Sequence, residues 1–268
     1  IAVPSRTSSL GRNQMVLDLT KKEVRDYIVN AVHNILASAN IEYVKWDYNR
    51  HISDMYSASL KNQGEFYHRY ILGLYEVLDK IFHQLHPNIL FESCSSGGNR
   101  FDLGMLCYSP QIWTSDDTDP IERLEIQGGI FNFYPPSCVS AHVSMSPHAQ
   151  TLRATPLSTR FNVASFGVLG YELDFSELTP DELKQVKAQI EFYKEHRRTF
   201  QYGRFEFVAV DNPNQLSWQI KGNKEIIAGL FQTKTSAAPY RDRVSIPSAD
   251  PEKQYSVECV KQSLRIKS

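Results

Sequence analysis

"YVKWDYNR", residues 43–50, sets a lysine, an aspartate and an asparagine at positions 45, 47 and 49, at the end of what reads as a buried strand. Side chains alternate across a strand with period two, so Lys45, Asp47 and Asn49 share one face. Trp46 points the other way and reads as packing. Charged side chains are rarely buried unless paired. Such a strand end is either a structural ion pair or a display of chemistry at the mouth of a sheet. A lone K-x-D pattern favours the ion pair, so its surroundings decide.

Strand-like and helix-like segments alternate around this stretch. "MVLDL" (Met15–Leu19) reads as a strand and is followed by a helix from Thr20, with Thr20 and Glu23 at capping-box spacing. Val24, Ile28, Val32, Ile35 and Leu36 form its apolar stripe. After "YVKWD" comes "EFYHRYILGLYEVLDKIFHQL", a second helix with Ile71, Leu74, Leu78, Ile81 and Leu85 on one face. "ILFES" and "QIWTS" read as further strands. Asp119-Pro120 then opens a helix, an N-cap followed by proline at the first helical position. "AHVS" and "ASFGVLGYEL" complete six strands. A last helix starts at Thr179-Pro180, with Glu182 closing a capping box, and ends before Gly203, read as a left-handed cap.

From residue 204 the pattern changes. "RFEFVAV", "LSWQI", "EIIAGLFQ" and "YSVECV" are β-rich and separated by turns such as "DNPNQ" and "KGNKE". The sequence thus predicts an α/β barrel part over residues 1–203 and an antiparallel β domain over 204–268. Six strands of eight fit a (β/α)8 barrel lacking its N-terminal βα units. The chain starts at Ile1 and reads as beginning inside a longer protein. An open doubly wound sheet, the competing architecture, usually carries a glycine-rich phosphate loop. No G-x-G-x-x-G or Walker sequence occurs.

Composition narrows the classes. The formal net charge is −1, and the basic residues are scattered, so no nucleic-acid footprint is expected. No apolar run approaches the roughly 18–20 residues that span a bilayer. The four cysteines lack C-x-x-C spacing and read as reduced thiols of a cytoplasmic protein, with no metal site or cofactor expected.

Polar groups recur at successive strand ends: Lys45, Asp47 and Asn49; Glu92, Cys94, Gly97 and Gly98; Trp113, Asp116 and Asp117; His142. Each has an ordinary reading, as an internal pair, a turn, a helix cap or a packing histidine. In a βα barrel, however, all the C-terminal strand ends converge on one mouth. Carboxylates from two strands meeting over one cavity are what glycoside hydrolysis uses. Asp47 is then a candidate nucleophile, with Lys45 keeping it ionised.

At these residues the chain resembles glycoside hydrolase family 36, the α-galactosidases of the bacterial melibiose and raffinose type. The matching stretches are "GRNQMVLDL", "YVKWDYNR", "ESCSSGGNRFDLGML", "PQIWTSDDTDPIERLEIQ" and the run from Thr155 to Arg197. The resemblance implies a retaining α-galactosidase with Asp47 as nucleophile and Asp116 as acid/base, Asp117 being the adjacent reserve. It implies substrate contacts from Arg12, Lys45, Asn49, Cys94, Gly97 and Trp113. It also implies an α-galactoside oligosaccharide substrate and a homo-oligomer, tetramer or dimer. Two departures stand out: Ser96 where many relatives carry glycine, expected to narrow the pocket, and Tyr48 where methionine is common. A galactosyltransferase, an α-N-acetylgalactosaminidase or a truncated, non-catalytic carbohydrate-binding barrel are the alternative readings.

Overall fold

The computed structural model describes residues 1–259 except 2, 9, 236 and 238–243. It divides into two compact units, Ile1–Tyr202 and Gly203–Ser268.

In the first unit, α1 (Lys22–Ala37) leads to β1 (Tyr43–Asp47). Then α2 (Phe66–Leu78) runs on through a π-helical turn, Asp79–Leu85, to β2 (Leu90–Cys94). The chain continues as α3 (Leu103–Leu106), β3 (Gln111–Trp113), α4 (Pro120–Phe131), β4 (Val139–Ser144), α5 (Leu157–Ala164), β5 (Val168–Glu172) and α6 (Pro180–Tyr202). The five strands lie in sequence order and all pair in parallel. A doubly wound sheet reverses its order at a switch point. This sheet does not, and it fits part of a TIM barrel.

Alternation divides the sheet into two unlike faces. Val44 and Trp46, Phe91, Ile112, and Val139, Ala141 and Val143 point to one side, where Phe91 and Ile112 join the core formed with α1 and α2. There Phe82 stacks on Phe91 with ring centroids 4.4 Å apart. The other side carries Tyr43, Lys45 and Asp47, Glu92 and Cys94, Gln111 and Trp113, and Ser140 and His142. The register sets Lys45 beside Glu92 beside Gln111, and Asp47 beside Cys94.

Several local expectations need correction. Met15–Leu19 forms no strand, so the sheet has five strands here and not six. Its Val16 and Leu19 pack on Phe66 and Tyr70, and no ladder partner is supplied by β1. Thr20 does not cap α1; its hydroxyl and amide both bond to Asp18 Oδ1, at 2.6 and 3.1 Å, and Lys21 takes the cap position. The helix stripes hold in part: Leu36, Leu78 and Ile81 are buried, and Val24, Ile28, Val32 and Leu74 pack against the core clusters. Ile35, Ile71 and Leu85 are exposed, while Val29, Tyr70 and Val77 are buried, because α1 and α2 pack on each other as well as on the sheet. Residues 164–167 belong to the end of α5 and a turn, so the last strand begins at Val168. Gly203 does not adopt a left-handed conformation.

Two caps behave as the sequence indicates. Asp119 Oδ1 accepts from the Ile121 amide at 2.8 Å with Pro120 at the first helical position. Thr179 and Glu182 exchange backbone-to-side-chain bonds at 2.9 and 3.3 Å.

The second unit is an antiparallel sheet of β6 (Arg204–Val208), β7 (Gln215–Lys221) and β8 (Ile226–Gln232). Trp218 is buried at its centre, edge-on to Phe205 and Phe231. The "YSVECV" strand does not form over residues 255–259, and Val260 lies outside the described residues.

Candidate active site

The polar face is tied together across strands. Lys45 Nζ sits 4.0 Å above the Trp113 ring. Trp113 Nε1 donates to Asp116 Oδ1 at 2.8 Å. An ammonium from β1 therefore reaches, through one indole, the carboxylate just beyond β3. Cation–aromatic attraction holds the first contact and an ordinary hydrogen bond the second.

Asp47 closes the C-terminal end of β1. Asn49 donates from Nδ2 to Asp47 Oδ2, and Asn49 Oδ1 accepts from the Ser96 amide at 2.6 Å. The loop after β1 is thereby pinned to the loop after β2. Arg100 adds a second tie, donating to the Tyr48 carbonyl at 2.6 Å and lying 4.0 Å over the Tyr48 ring. Tyr48 supplies that aromatic platform. Cys94 is buried beside Asp47. Burial pushes its thiol pKa up to about 11, Asp47 adding to the rise, so it stays a neutral thiol.

Gly97 is required by its surroundings. Its φ is +84°, and a Cβ there would fall 2.8 Å from Ser115 Cα. The loop after β2 thus presses directly on the stretch that presents Asp116. The Gly98 amide bonds the Thr114 carbonyl at 3.0 Å. Ser96 has φ 50°, left-handed and strained for a serine.

Sequence reasoning missed two residues. Arg123, on α4, is buried and clamps the Asp116 loop. It donates to the Asp117 carbonyl and the Ser115 carbonyl, both at 2.6 Å, and to Thr114 Oγ1 at 2.6 Å. Its carbon Cζ lies 4.8 Å from the Trp113 ring. Burial lowers its pKa to about 10, against the pull of Asp117, Glu172 and Asp116. Glu172 ends β5, 3.3 Å from His142 Nδ1, and the His142 ring lies 4.5 Å from Trp113. Its carboxyl is held below the usual range by the His142 hydrogen bond, then by the charges of His142, Lys45 and Arg123, with burial opposing. The strand-end rule that selected Lys45 would have selected Glu172. A buried arginine inside a helix has no comparable sequence signal.

Asp117 accepts from the Asp119 amide at 3.0 Å and so shapes the turn into α4. Arg12 lies apart: it is exposed in a left-handed turn between the bridged residues Gly11 and Gln14. A cavity of about 270 Å³ opens on the other side of β1, among Trp46, Leu74, Val77, Phe91 and Met105. Its walls are largely apolar, but Asp47, Asn49, Arg50 and Arg100 also line it, so it reaches the C-terminal end of β1. Among the described residues no three His, Cys, Asp or Glu side chains form a metal-ligating cluster. Nor is any described helix long and apolar enough to cross a membrane.

Residues 1–203 match the family described as Melibiase. Alpha-galactosidase Mel36A of Lactobacillus acidophilus is 45% identical over 257 residues, which cover 94% of this chain and 35% of that protein. Alpha-galactosidase AgaA of Geobacillus stearothermophilus is 44% identical over 261 residues, 96% of this chain and 36% of that protein. The crystal structure of AgaA gives a TM-score of 0.84 at 46% identity, covering 88% of this chain and 34% of that chain. An AgaA variant in complex with raffinose gives the same TM-score, identity and coverage. The chain spans about a third of the length of these curated relatives.

Proposed function

The chain belongs to the Melibiase family, and from that premise we propose that it carries the catalytic face of a retaining α-galactosidase. The sheet is the C-terminal part of a (β/α)8 barrel, with residues 1–203 as the barrel part and 204–268 as the β domain. The observation that carries the reading is the line from Lys45 through Trp113 to Asp116, which joins two carboxylate-bearing strand ends across one face.

In the first step Asp116, protonated, gives its proton to the glycosidic oxygen while Asp47 attacks the anomeric carbon. The bond to the leaving alcohol breaks and a β-galactosyl ester forms on Asp47. In the second step Asp116 takes a proton from water, whose oxygen displaces Asp47 and releases α-galactose. Two inversions leave the configuration retained, for which the two carboxyl groups should lie about 5–5.5 Å apart in the working enzyme. Lys45, Asn49, Cys94, Gly97, Trp113 and Asp117 line the sugar, and Arg12, exposed in its turn, is a substrate contact on the resemblance alone. Terminal α-galactosyl groups of oligosaccharides such as melibiose and raffinose are the substrates. The unbridged Cys94, Cys107 and Cys138 favour a reducing, cytoplasmic setting, and the resemblance favours a homo-oligomer.

The test is hydrolysis of p-nitrophenyl α-galactoside by the protein made from its complete gene, wild type beside Asp47→Ala. Turnover by the wild type and loss in the variant is the expected result. Equal activity in both would remove Asp47 from the chemistry and leave it a structural partner of Asn49. A wild type that binds galactosides without turnover would favour the binding-module reading.

A further inference from the structure

Glu92 is the deepest charge on the polar face. It is 2% exposed, in the middle of β2, with strands paired on both sides. Burying a carboxylate costs several kcal/mol unless its partners compensate. Three groups converge on it. Tyr43 donates its hydroxyl to Oε2, Gln111 donates to the same oxygen at 3.3 Å, and Lys45 Nζ lies 3.4 Å from Oε1. Gln111 is itself fixed, donating to Ser140 Oγ at 2.8 Å. Tyr43 remains protonated, because burial, the bond to Glu92 and the charge of Glu92 all raise its pKa.

Lys45 has other carboxylates within reach. Asp47 follows it on the same strand face, and Glu172 feels its charge. A flexible four-carbon stem would let its ammonium swing to either one. Instead the ammonium is held between Glu92 and the Trp113 ring. We propose that Glu92 is a positioning residue of the site: its buried carboxylate anchors Lys45 against Trp113 and keeps the ammonium from collapsing onto the outer carboxylates. Through Trp113 the same anchor steadies the orientation of Asp116. The inference rests on the galactosidase reading above and assigns Glu92 no contact with substrate.

The test is a double-mutant cycle in the protein made from its complete gene. Wild type, Glu92→Gln, Lys45→Met and the double variant are assayed on p-nitrophenyl α-galactoside, with thermal melting recorded for each. Glu92→Gln is expected to lower kcat at least about tenfold. The double variant is expected to be no slower than Lys45→Met alone, because without Lys45 there is nothing for Glu92 to hold. Lys45→Met leaves the buried carboxylate with the Tyr43 and Gln111 hydrogen bonds but without the Lys45 charge, so the double variant should melt above it. Glu92→Asp should restore part of the activity lost in Glu92→Gln.

Losses that multiply, or wild-type kcat in Glu92→Gln, would overturn the assignment. A wild type that binds galactose without hydrolysis overturns the hydrolase reading alone, and the same cycle read on galactose Kd then decides Glu92. A wild type that does neither overturns both.

Discussion

The two faces of the five-stranded sheet are made by alternate residues of the same strands. On one face Phe91, Ile112, Val139 and Val143 are buried among apolar neighbours, and Phe91 and Ile112 help form a core with the helices. On the other, Lys45, Glu92, Trp113, Asp116, His142 and Glu172 contact one another through charges, hydrogen bonds and rings. The first face is held by area removed from water, which is tolerant of detail. The second is held by directional contacts, where removing one partner strands another. Stability and chemistry are therefore carried by alternate residues of the same strands. Substitutions one position apart should separate them.

The largest contrast is Asp47→Asn against Phe91→Ala. Asp47→Asn should lower kcat on p-nitrophenyl α-galactoside by about 10⁴-fold or more while leaving the melting temperature nearly unchanged. Phe91→Ala removes a stacked ring from the core and should cost about 3–5 kcal/mol of stability, with kcat per folded molecule close to normal. Chemical denaturation and active-site titration measure the two sides.

Gly97→Ala should blur the division. Its Cβ would meet the backbone at Ser115, and φ +84° is unfavourable for alanine. The expected result is a loss of about 2–3 kcal/mol together with a large fall in kcat, since Ser115 adjoins Asp116. A variant with normal activity would mean that the loop after β2 does not set the Asp116 position. Arg123→Lys keeps the charge but loses the three-way fork, and should cost about 2–3 kcal/mol. Its kcat should fall further than that of Ile112→Val, which costs only about 1 kcal/mol.

Much of this was legible in the sequence, for reasons that differ by residue. The alternation in "YVKWD" gave the strand and its faces, because a strand's side-chain period is two, but the strand expected to be buried alternates between exposed and half-buried residues. The caps at Asp119 and Thr179 were legible because capping is local. Met15–Leu19 misled because an apolar run does not say what it packs on: Val16 and Leu19 are buried against Phe66 and Tyr70 rather than in the sheet, while Met15 and Leu17 are exposed. The helix stripes were right for Leu36, Leu78 and Ile81 and wrong for Ile35, Ile71 and Leu85, since α1 and α2 also pack on each other. On the polar face, Asp47, Lys45, Trp113 and Asp116 were singled out from their positions at strand ends, and their proposed roles come from the resemblance. Arg123 escaped because its importance comes from the carbonyls of Asp117 and Ser115 in the loop before its helix, contacts for which no local spacing rule exists.

The smallest expected effect concerns Glu172. Its folded pKa is depressed, so its contribution to stability is present above the ordinary glutamate value, about 4.3, and is lost as pH falls through the lower folded value. Glu172→Gln should therefore lower the melting temperature slightly at pH 7, and the difference from wild type should vanish in the acidic window. A difference that persists there would mean that the carboxylate's charge is not what His142, Lys45 and Arg123 stabilise.

The central claim is that Asp47 and Asp116 face each other across the site in distinct roles. The most direct measurement is the anomeric configuration, by proton NMR, of the galactosyl azide formed when azide is added to Asp47→Ala and to Asp116→Ala with an activated α-galactoside. With Asp47 gone, azide should take the nucleophile's place and give the β-azide. With Asp116 gone, azide should attack the β-galactosyl ester on Asp47 and give the α-azide. Opposite anomers in that order are the expected result. The same anomer from both variants, or the reverse order, would contradict the assignment.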